Sequence, residues 1–288
     1  MSLLTRILFP VIFISGLGYI YAKLNKTEPQ IISEIIMYLT IPALFFISFY
    51  KQEISFYELP VTLATILAVV FGVFLITFLL RKIFKLPRGI YLPAVFMNSA
   101  FIGFPIVLLA YGAQGLSRAI AYDFFNGLLI FTFGIFIASG KKDAAEAFKL
   151  PFFYAAIAGL LLNLYNIKVP PLILKPIEML GSTTIILALL MLGFRMGTAK
   201  IKTLLIPILS SFLRMVVGSF IAMLVVYLFK IEPSLGKVLI IMSALPSAFM
   251  GLVIGEKYKK DLDVISSSIA VCTLLSVLYI PFLLWLLK

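Results

Sequence analysis

Residues 91–112 read YLPAVFMNSAFIGFPIVLLAYG, an apolar stretch interrupted near its middle by small polar residues and a proline. A helix that crosses a bilayer needs about 20 apolar residues, so this stretch is long enough. The motif Gly103-Phe104-Pro105 lies near mid-membrane depth, where a proline lacks an N–H and clashes with the carbonyl four residues earlier. Because freed backbone groups cannot face lipid, the stretch predicts a broken helix that is buried in protein or lines a wet cavity.

A second stretch of the same kind follows after 145 positions, where Met97-Asn98-Ser99-Ala100 aligns with Met242-Ser243-Ala244-Leu245. Its interruption is Leu245-Pro246-Ser247. We therefore interpret residues 1–140 and 149–288 as two repeats of five helices, joined by a connection at 141–148. Five is an odd number, so the repeats must have opposite topology, and the two breaks bring four half-helix ends together at one depth.

The composition places the whole chain in a membrane. Of its 288 residues, 62% are apolar and 12% are charged, and the mean hydropathy is +1.15, which excludes a soluble globular domain. We predict an all-α membrane protein with ten transmembrane helices at 4–22, 31–50, 60–80, 91–112, 116–139, 149–165, 176–197, 203–229, 236–255 and 263–287. The connections carry 15 Lys and Arg on one side and 8 on the other, termini included. This predicts that both termini face outside.

Several classes of protein are excluded by what the sequence lacks. There is no His and a single Cys, Cys272, so disulfides, His/Cys metal sites and Cys/His catalysis are excluded. The positive charge lies in short runs between apolar stretches, which does not suit nucleic acid. No glycine loop for nucleotides and no pair of carboxylates at hydrolytic spacing are present. We expect no enzyme, no cofactor and no metal centre.

The charged residues inside the spans are candidates for a functional site. Asp123 and Asn126 share a helix face at the start of the fifth span, where Asp123 has either a structural or a proton-coupling role. Arg214, in the eighth span, must meet a carboxylate such as Asp123, helix C-terminal carbonyls, or an anionic ligand. We expect Arg195, near the end of the seventh span, to reach the cytoplasmic interface. Ser266-Ser267-Ser268 serve either close helix packing or a cavity wall.

The breaks would supply the rest of the site. Asn98, Ser243 and Ser247 would donate or accept hydrogen bonds, and the half-helix N-termini after Pro105 and Pro246 would supply positive potential. The predicted substrate-binding residues are Asn98, Ser99, Gly103, Pro105, Asp123, Asn126, Arg214, Ser243, Pro246 and Ser247.

These motifs resemble those of the auxin efflux carrier family. The residues that carry the resemblance are Asn98 to Pro105, Tyr122, Asp123, Asn126, Leu192 to Met196, Arg214, Ala244 to Ser247, and Glu256 to Tyr258. The family contains the plant PIN auxin exporters and bacterial malate and malonate permeases. The resemblance implies a fold like that of the bile acid sodium symporters, with helices 4 and 9 crossed, a scaffold of helices 1, 2, 6 and 7, and a transport domain of helices 3–5 and 8–10. It also implies homodimers and an elevator-like movement. The chain lacks the long loop of the plant members between helices 5 and 6.

The sequence thus predicts a secondary carrier of a small organic anion, such as a mono- or dicarboxylate, in the plasma membrane. Two alternatives stay open: an anion channel with a continuous path, and a cation/proton exchanger of related fold. The exchanger would need an acidic cluster at the crossover, where Asp123 is the nearest carboxylate. Coupling to a proton or to Na⁺ is also left open.

Overall fold

The computed structural model describes residues 3–25, 30–51, 57–140, 150–198, 201, 204–258 and 261–287, and nearly all of these are helical. The predicted connection at 141–148 lies outside the described residues. The α-helices are α1 (Leu3–Leu24), α2 (Gln30–Ile35), α3 (Ile41–Lys51), α4 (Glu58–Phe84), α5 (Tyr91–Val95), α6 (Phe104–Leu129), α7 (Ile135–Ser139), α8 (Pro151–Leu164), α9 (Pro171–Thr198), α10 (Leu205–Ser211), α11 (Gly218–Leu228), α12 (Pro233–Ser243), α13 (Met250–Lys257) and α14 (Leu262–Leu286).

Several of these helices join end to end through wider π-helical turns. Such turns occupy Ile36–Thr40, Ser99–Gly103, Ile130–Gly134 and Phe212–Val217. Counted through them, six helices are long and apolar enough to cross a membrane: Ile31–Lys51, Glu58–Phe84, Ser99–Ser139, Pro171–Thr198, Leu205–Leu228 and Leu262–Leu286. Three shorter apolar helices cover Phe9–Leu24, Pro151–Leu164 and Pro233–Ser243. The prediction of an all-α membrane protein is therefore confirmed for the described residues.

The long helical segment Ser99–Ser139 contains a kink at Gly112. Gly112 has φ +69° and ψ −164°, which a residue with a side chain adopts only with strain. The kink falls between the fourth and fifth apolar runs that the sequence defines. It divides α6 into two helical parts, 104–111 and 113–129.

The helices form two packed groups. In one group, α1 packs along α9, and α3 packs on α8 and α9. In the other, α4 packs on α5, α6 and α11, α12 packs on α6 and α11, and α10 packs on α14. The first group is built on direct backbone contact, since a Cβ at Gly193 of α9 would lie 1.7 Å from the carbonyl oxygen of Ser15.

The two groups meet around a pair of broken helices. Residues 96–98 separate α5 from the π-helical turn that leads into α6, and residues 244–249 separate α12 from α13. Met97 and Ser247 form an isolated antiparallel bridge. The Asn98 N–H donates to the Pro246 carbonyl at 2.8 Å, and the Ala248 N–H donates to the Phe96 carbonyl at 2.9 Å. The two breaks thus satisfy each other's backbone groups in the interior.

The structure corrects one prediction from the sequence. The first helix breaks at residues 96–98 and not at Gly103-Phe104-Pro105, because a π-helical turn precedes Pro105 and places it in the first turn of α6, where a missing N–H is tolerated. The bridged positions 97 and 247 differ by 150. The repeat that the sequence suggests at a shift of 145 stays a prediction. Pro246 lies inside the second break, as expected.

Candidate functional site

A cavity with a volume of about 450 Å³ opens beside the two breaks. Asn98 and Phe249 line it from the breaks, Arg195 lines it from α9, and Ser266 and Thr273 line it from α14. Most of its other lining residues are apolar. It is therefore a largely apolar chamber with a few polar groups, one permanently charged guanidinium and the carboxylate of Asp263, the usual design of a small-molecule site.

Arg195 lines this cavity, and its expected position at the cytoplasmic interface stays a prediction. Its guanidinium carbon lies 3.6 Å from the centre of the Phe249 ring, a cation–π contact. Its Nη2 also donates to the Ser33 hydroxyl at 3.3 Å. The second break supplies the aromatic face that holds Arg195 inward, a contact that the sequence around position 195 does not reveal.

Asn98 lies at the junction of the large cavity and a smaller one. The smaller cavity has a volume of about 80 Å³ and is lined by Asn98, Ser99, Asp123 and Asn126. Asn98 is 8% exposed, and its backbone is fixed by the bridge to Pro246. Within the described residues its carboxamide has no hydrogen-bond partner, so it can offer both a donor and an acceptor to a ligand.

Ser99, Asp123 and Asn126 form one hydrogen-bonded cluster, which we call the Asp123 cluster. The Ser99 hydroxyl donates to the Asp123 carboxylate. The Asn126 Nδ2 donates to the Ser99 hydroxyl oxygen at 2.8 Å and to the Met97 carbonyl at 3.0 Å. Asp123 and Asn126 thus lie close together, as predicted, and both form a hydrogen bond with Ser99, the first residue after the break.

Arg214 does not pair with Asp123, so that expectation is corrected. Its guanidinium donates to the carbonyls of Val95 and Ser243, the latter at 2.9 Å, and contacts the Ala94 carbonyl at 3.5 Å. Arg214 is completely buried. Of the three partners considered from the sequence, the structure shows helix C-terminal carbonyls.

Ser243 and Ser247 are turned into the protein and line none of the described cavities. The Ser243 hydroxyl lies 2.9 Å from the Tyr122 hydroxyl, and the Ser247 hydroxyl donates to the Pro93 carbonyl at 2.6 Å. Both serines are completely buried. Their hydroxyls therefore hold the crossover together in this conformation, and the predicted role in substrate binding has no geometric support here.

Gly103 and Pro105 also serve packing. A Cβ at Gly103 would lie 2.5 Å from Cδ1 of Leu245 and 2.9 Å from Sδ of Met242. The absence of a side chain at Gly103 therefore lets the first broken helix approach the second. Pro105 is buried behind it.

Comparison with known proteins agrees with this architecture. A family model described as Membrane transport protein matches residues 3–149 and 135–284, which together span nearly the whole chain. The chain belongs to this family. The resemblance to the auxin efflux carriers is thereby confirmed.

Two relatives within the membrane transport protein family are archaeal. An uncharacterized transporter of Methanocaldococcus jannaschii is 30% identical over 302 residues, covering 96% of each chain. An uncharacterized transporter of Methanothermobacter thermautotrophicus is 25% identical over 294 residues, again covering 96% of each chain. The protein is thus a multi-pass membrane transporter.

Proposed function

We propose that the protein is a secondary carrier of a small organic anion, such as a mono- or dicarboxylate. The observation that carries this proposal is the 450 Å³ cavity, whose mostly apolar wall includes the Arg195 guanidinium and the Asn98 carboxamide together with the Asp263 carboxylate. A guanidinium keeps its charge at every physiological pH and binds carboxylates through paired hydrogen bonds. The apolar walls suit the carbon skeleton of the anion.

We infer that the chain crosses the membrane ten times as a five-plus-five inverted repeat. The six long helices and the three shorter ones fall on the apolar runs of the sequence, and the kink at Gly112 allows Ser99–Ser139 to contribute two spans. The antiparallel bridge between Met97 and Ser247 is reciprocal, because each break donates one N–H to the other. A pseudo-two-fold axis in the membrane plane accounts for this reciprocity.

The packing supports an elevator-like division of the molecule. The group α1, α3, α8 and α9 would be the scaffold, and the broken helices with α4, α6, α10, α11 and α14 would be the transport domain. The large cavity lies between α9 on one side and the breaks with α14 on the other. A substrate in it would touch both groups, and movement of one group past the other would carry it across.

The Asp123 cluster makes proton coupling the preferred coupling mode. Asp123 lines the small cavity, which shares Asn98 with the large one. A proton taken up at Asp123 would therefore change the polarity of the wall next to the substrate. Asp123→Asn should abolish uphill accumulation in a pH gradient and spare substrate exchange, whereas accumulation with the wild-type pH dependence would reject the coupling.

We further propose that the carrier lies in the plasma membrane as a homodimer with both termini outside. The orientation rests on the 15 to 8 distribution of Lys and Arg between the two sides. The native Cys272 is buried, so a cysteine introduced at Lys142 would report its own side of the membrane. An impermeant reagent added to intact cells should leave Lys142→Cys unlabelled, and strong labelling would reverse the orientation.

The function itself is tested by measuring transport and binding with one neutral variant of Arg195 and one variant that keeps its charge. Arg195→Gln should weaken binding of the carboxylate by about 10- to 100-fold, since a charge-assisted hydrogen bond contributes about 1.5–3 kcal/mol. Arg195→Lys keeps the charge and should retain much of the affinity. Equal affinity of Arg195→Gln and the wild type for every carboxylate that the wild type transports would contradict the proposed site.

A further inference from the structure

The guanidinium of Arg214 lies where the C-terminal ends of two broken half-helices converge. Val95 and Ala94 are the last residues of α5, and Ser243 is the last residue of α12. Arg214 donates to the carbonyls of Val95 and Ser243 and contacts that of Ala94. One side chain from α10–α11 therefore joins the two half-helices that lead into the crossover.

The charge of Arg214 is balanced by these helix ends and not by an acid. No ion pair between described residues involves Arg214. The last carbonyls of a helix lack intrahelical donors and carry partial negative charge. Two such ends pointing at one spot create a strongly cation-attracting position in the membrane interior.

Carbonyls at half-helix C-terminal ends are the groups with which secondary transporters coordinate a coupling Na⁺. We propose that Arg214 is a tethered cation that takes the place of Na⁺ at this crossover. The carbonyl cluster of Ala94, Val95 and Ser243 is neutralised permanently by the protein itself. The crossover is therefore assembled without loading a metal ion, which leaves the Asp123 cluster as the group that can exchange a proton.

The neighbouring sequence makes room for this guanidinium. Arg214 lies in the π-helical turn Phe212–Val217, and Gly218 follows one turn later. A Cβ at Gly218 would lie 2.4 Å from Nη2 of Arg214 and 2.8 Å from the Ser243 carbonyl oxygen. A side chain at position 218 would therefore displace the guanidinium from the carbonyl cluster, whereas glycine leaves its position open.

The test is a comparison of thermal stability in Na⁺ and in choline at equal ionic strength, with no substrate present. The wild type and Arg214→Lys should have the same Tm in both buffers. Arg214→Ala empties the position and leaves the carbonyls, so Na⁺ should raise its Tm by a few degrees in a saturable manner. Millimolar guanidinium serves as the positive control and should raise it too. Arg214→Met fills the space without charge and should respond to neither ion.

Three results would overturn the proposal. A saturable rise in the wild-type Tm with Na⁺ would show that the crossover still needs the metal ion. An Arg214→Ala protein that responds to guanidinium but not to Na⁺, or to neither, would show that the carbonyls do not form a Na⁺ position. If Arg214→Ala yields no folded protein in choline, recovery of folded protein by extraction in Na⁺ supports the proposal, and equal loss in both buffers rejects it. Because no substrate is used, the proposed function can fail without affecting this result.

Discussion

At the first break the Asn98 carboxamide faces two cavities, whereas at the second break the hydroxyls of Ser243 and Ser247 are buried and hydrogen-bonded within the protein. The backbones of the two breaks are nevertheless paired by the same reciprocal bridge. The difference teaches that two breaks with paired backbones can place their polar side chains in different surroundings. The Asn98 carboxamide at the first break lines cavities, whereas the serine hydroxyls at the second hydrogen-bond to neighbouring groups of the protein.

The largest effect on stability is expected behind the second break, at Gly218. In Gly218→Ala the new Cβ would displace the Arg214 guanidinium and leave the Ser243 carbonyl without its donor. Overpacking and the lost charge-assisted hydrogen bond together should cost roughly 3 kcal/mol of folding free energy. Gly16→Ala is the matched control, because a Cβ at position 16 meets no atom within 4 Å. Thermal unfolding in detergent measures both, and equal Tm values for the two variants would contradict the role assigned to the second break.

The next effect is expected at the first break and concerns affinity. Asn98→Ala should weaken substrate binding roughly 10-fold, the cost of losing about one good hydrogen bond to a charged ligand. Its Tm should stay within a few degrees of wild type, since the Asn98 carboxamide has no partner among the described residues. Titration of purified protein with a transported carboxylate measures the Kd. Unchanged affinity would make Asn98 a packing residue and remove the contrast between the breaks.

Ser247→Ala should show the opposite pattern from Asn98→Ala. It removes the hydrogen bond to the Pro93 carbonyl, at a cost of about 1 kcal/mol in stability. Substrate affinity should change by less than about twofold, because Ser247 lines none of the described cavities and its loss removes no proposed contact with the substrate. A large loss of affinity with unchanged Tm would contradict this expectation and support the sequence-based prediction that Ser247 contacts the substrate.

The smallest effect concerns Glu232, which caps the N-terminus of the half-helix α12. Hydrogen bonds from the Ser234 hydroxyl and N–H and from the Leu235 N–H lower the pKa of Glu232 from 4.5 to about 2. A carboxyl with a lowered pKa stabilises the fold above its unfolded-state pKa, and the stabilisation is lost as pH falls from 4.5 towards 2. Glu232→Gln should therefore have a slightly lower Tm than wild type at neutral pH.

The difference in Tm between Glu232→Gln and wild type should shrink as the pH falls through this window. A difference that stays constant between neutral pH and pH 3 would contradict the capping role. At the first half-helix, α5, the Gly89 N–H in the turn that precedes it donates to the Asp261 carboxylate at 2.7 Å. The two half-helices therefore differ in how they begin, since Glu232 is the residue directly before α12 and Asp261 lies far from α5 in the chain.

The helices were predictable because each depends on its own run of apolar residues. Pro246 also marked its break correctly, since a proline with small neighbours weakens the helix locally. Pro105 did not mark a break, because the first break lies where the backbone at Met97 pairs with that at Ser247, 150 positions later in the chain. The residues around Met97 do not by themselves identify this distant partner.

The side-chain partners were the least predictable part of the site. The contact of Arg195 with Phe249 was not predicted, and the sequence left three partners open for Arg214, of which the structure shows helix C-terminal carbonyls. Both contacts join residues far apart in the chain, so their geometry depends on the finished fold. The Asp123 and Asn126 face was predictable because it follows from helical spacing alone.

The most direct test of the account is a thermal-shift screen of a carboxylate library against wild type, Asn98→Ala and Ser247→Ala under the same conditions. A ligand that binds the native state raises its apparent stability by mass action. The account predicts that at least one small carboxylate raises the Tm of wild type and of Ser247→Ala, and that the same compound at the same concentration has a much smaller effect on Asn98→Ala. A carboxylate that stabilises wild type and Asn98→Ala equally but fails to stabilise Ser247→Ala would contradict it.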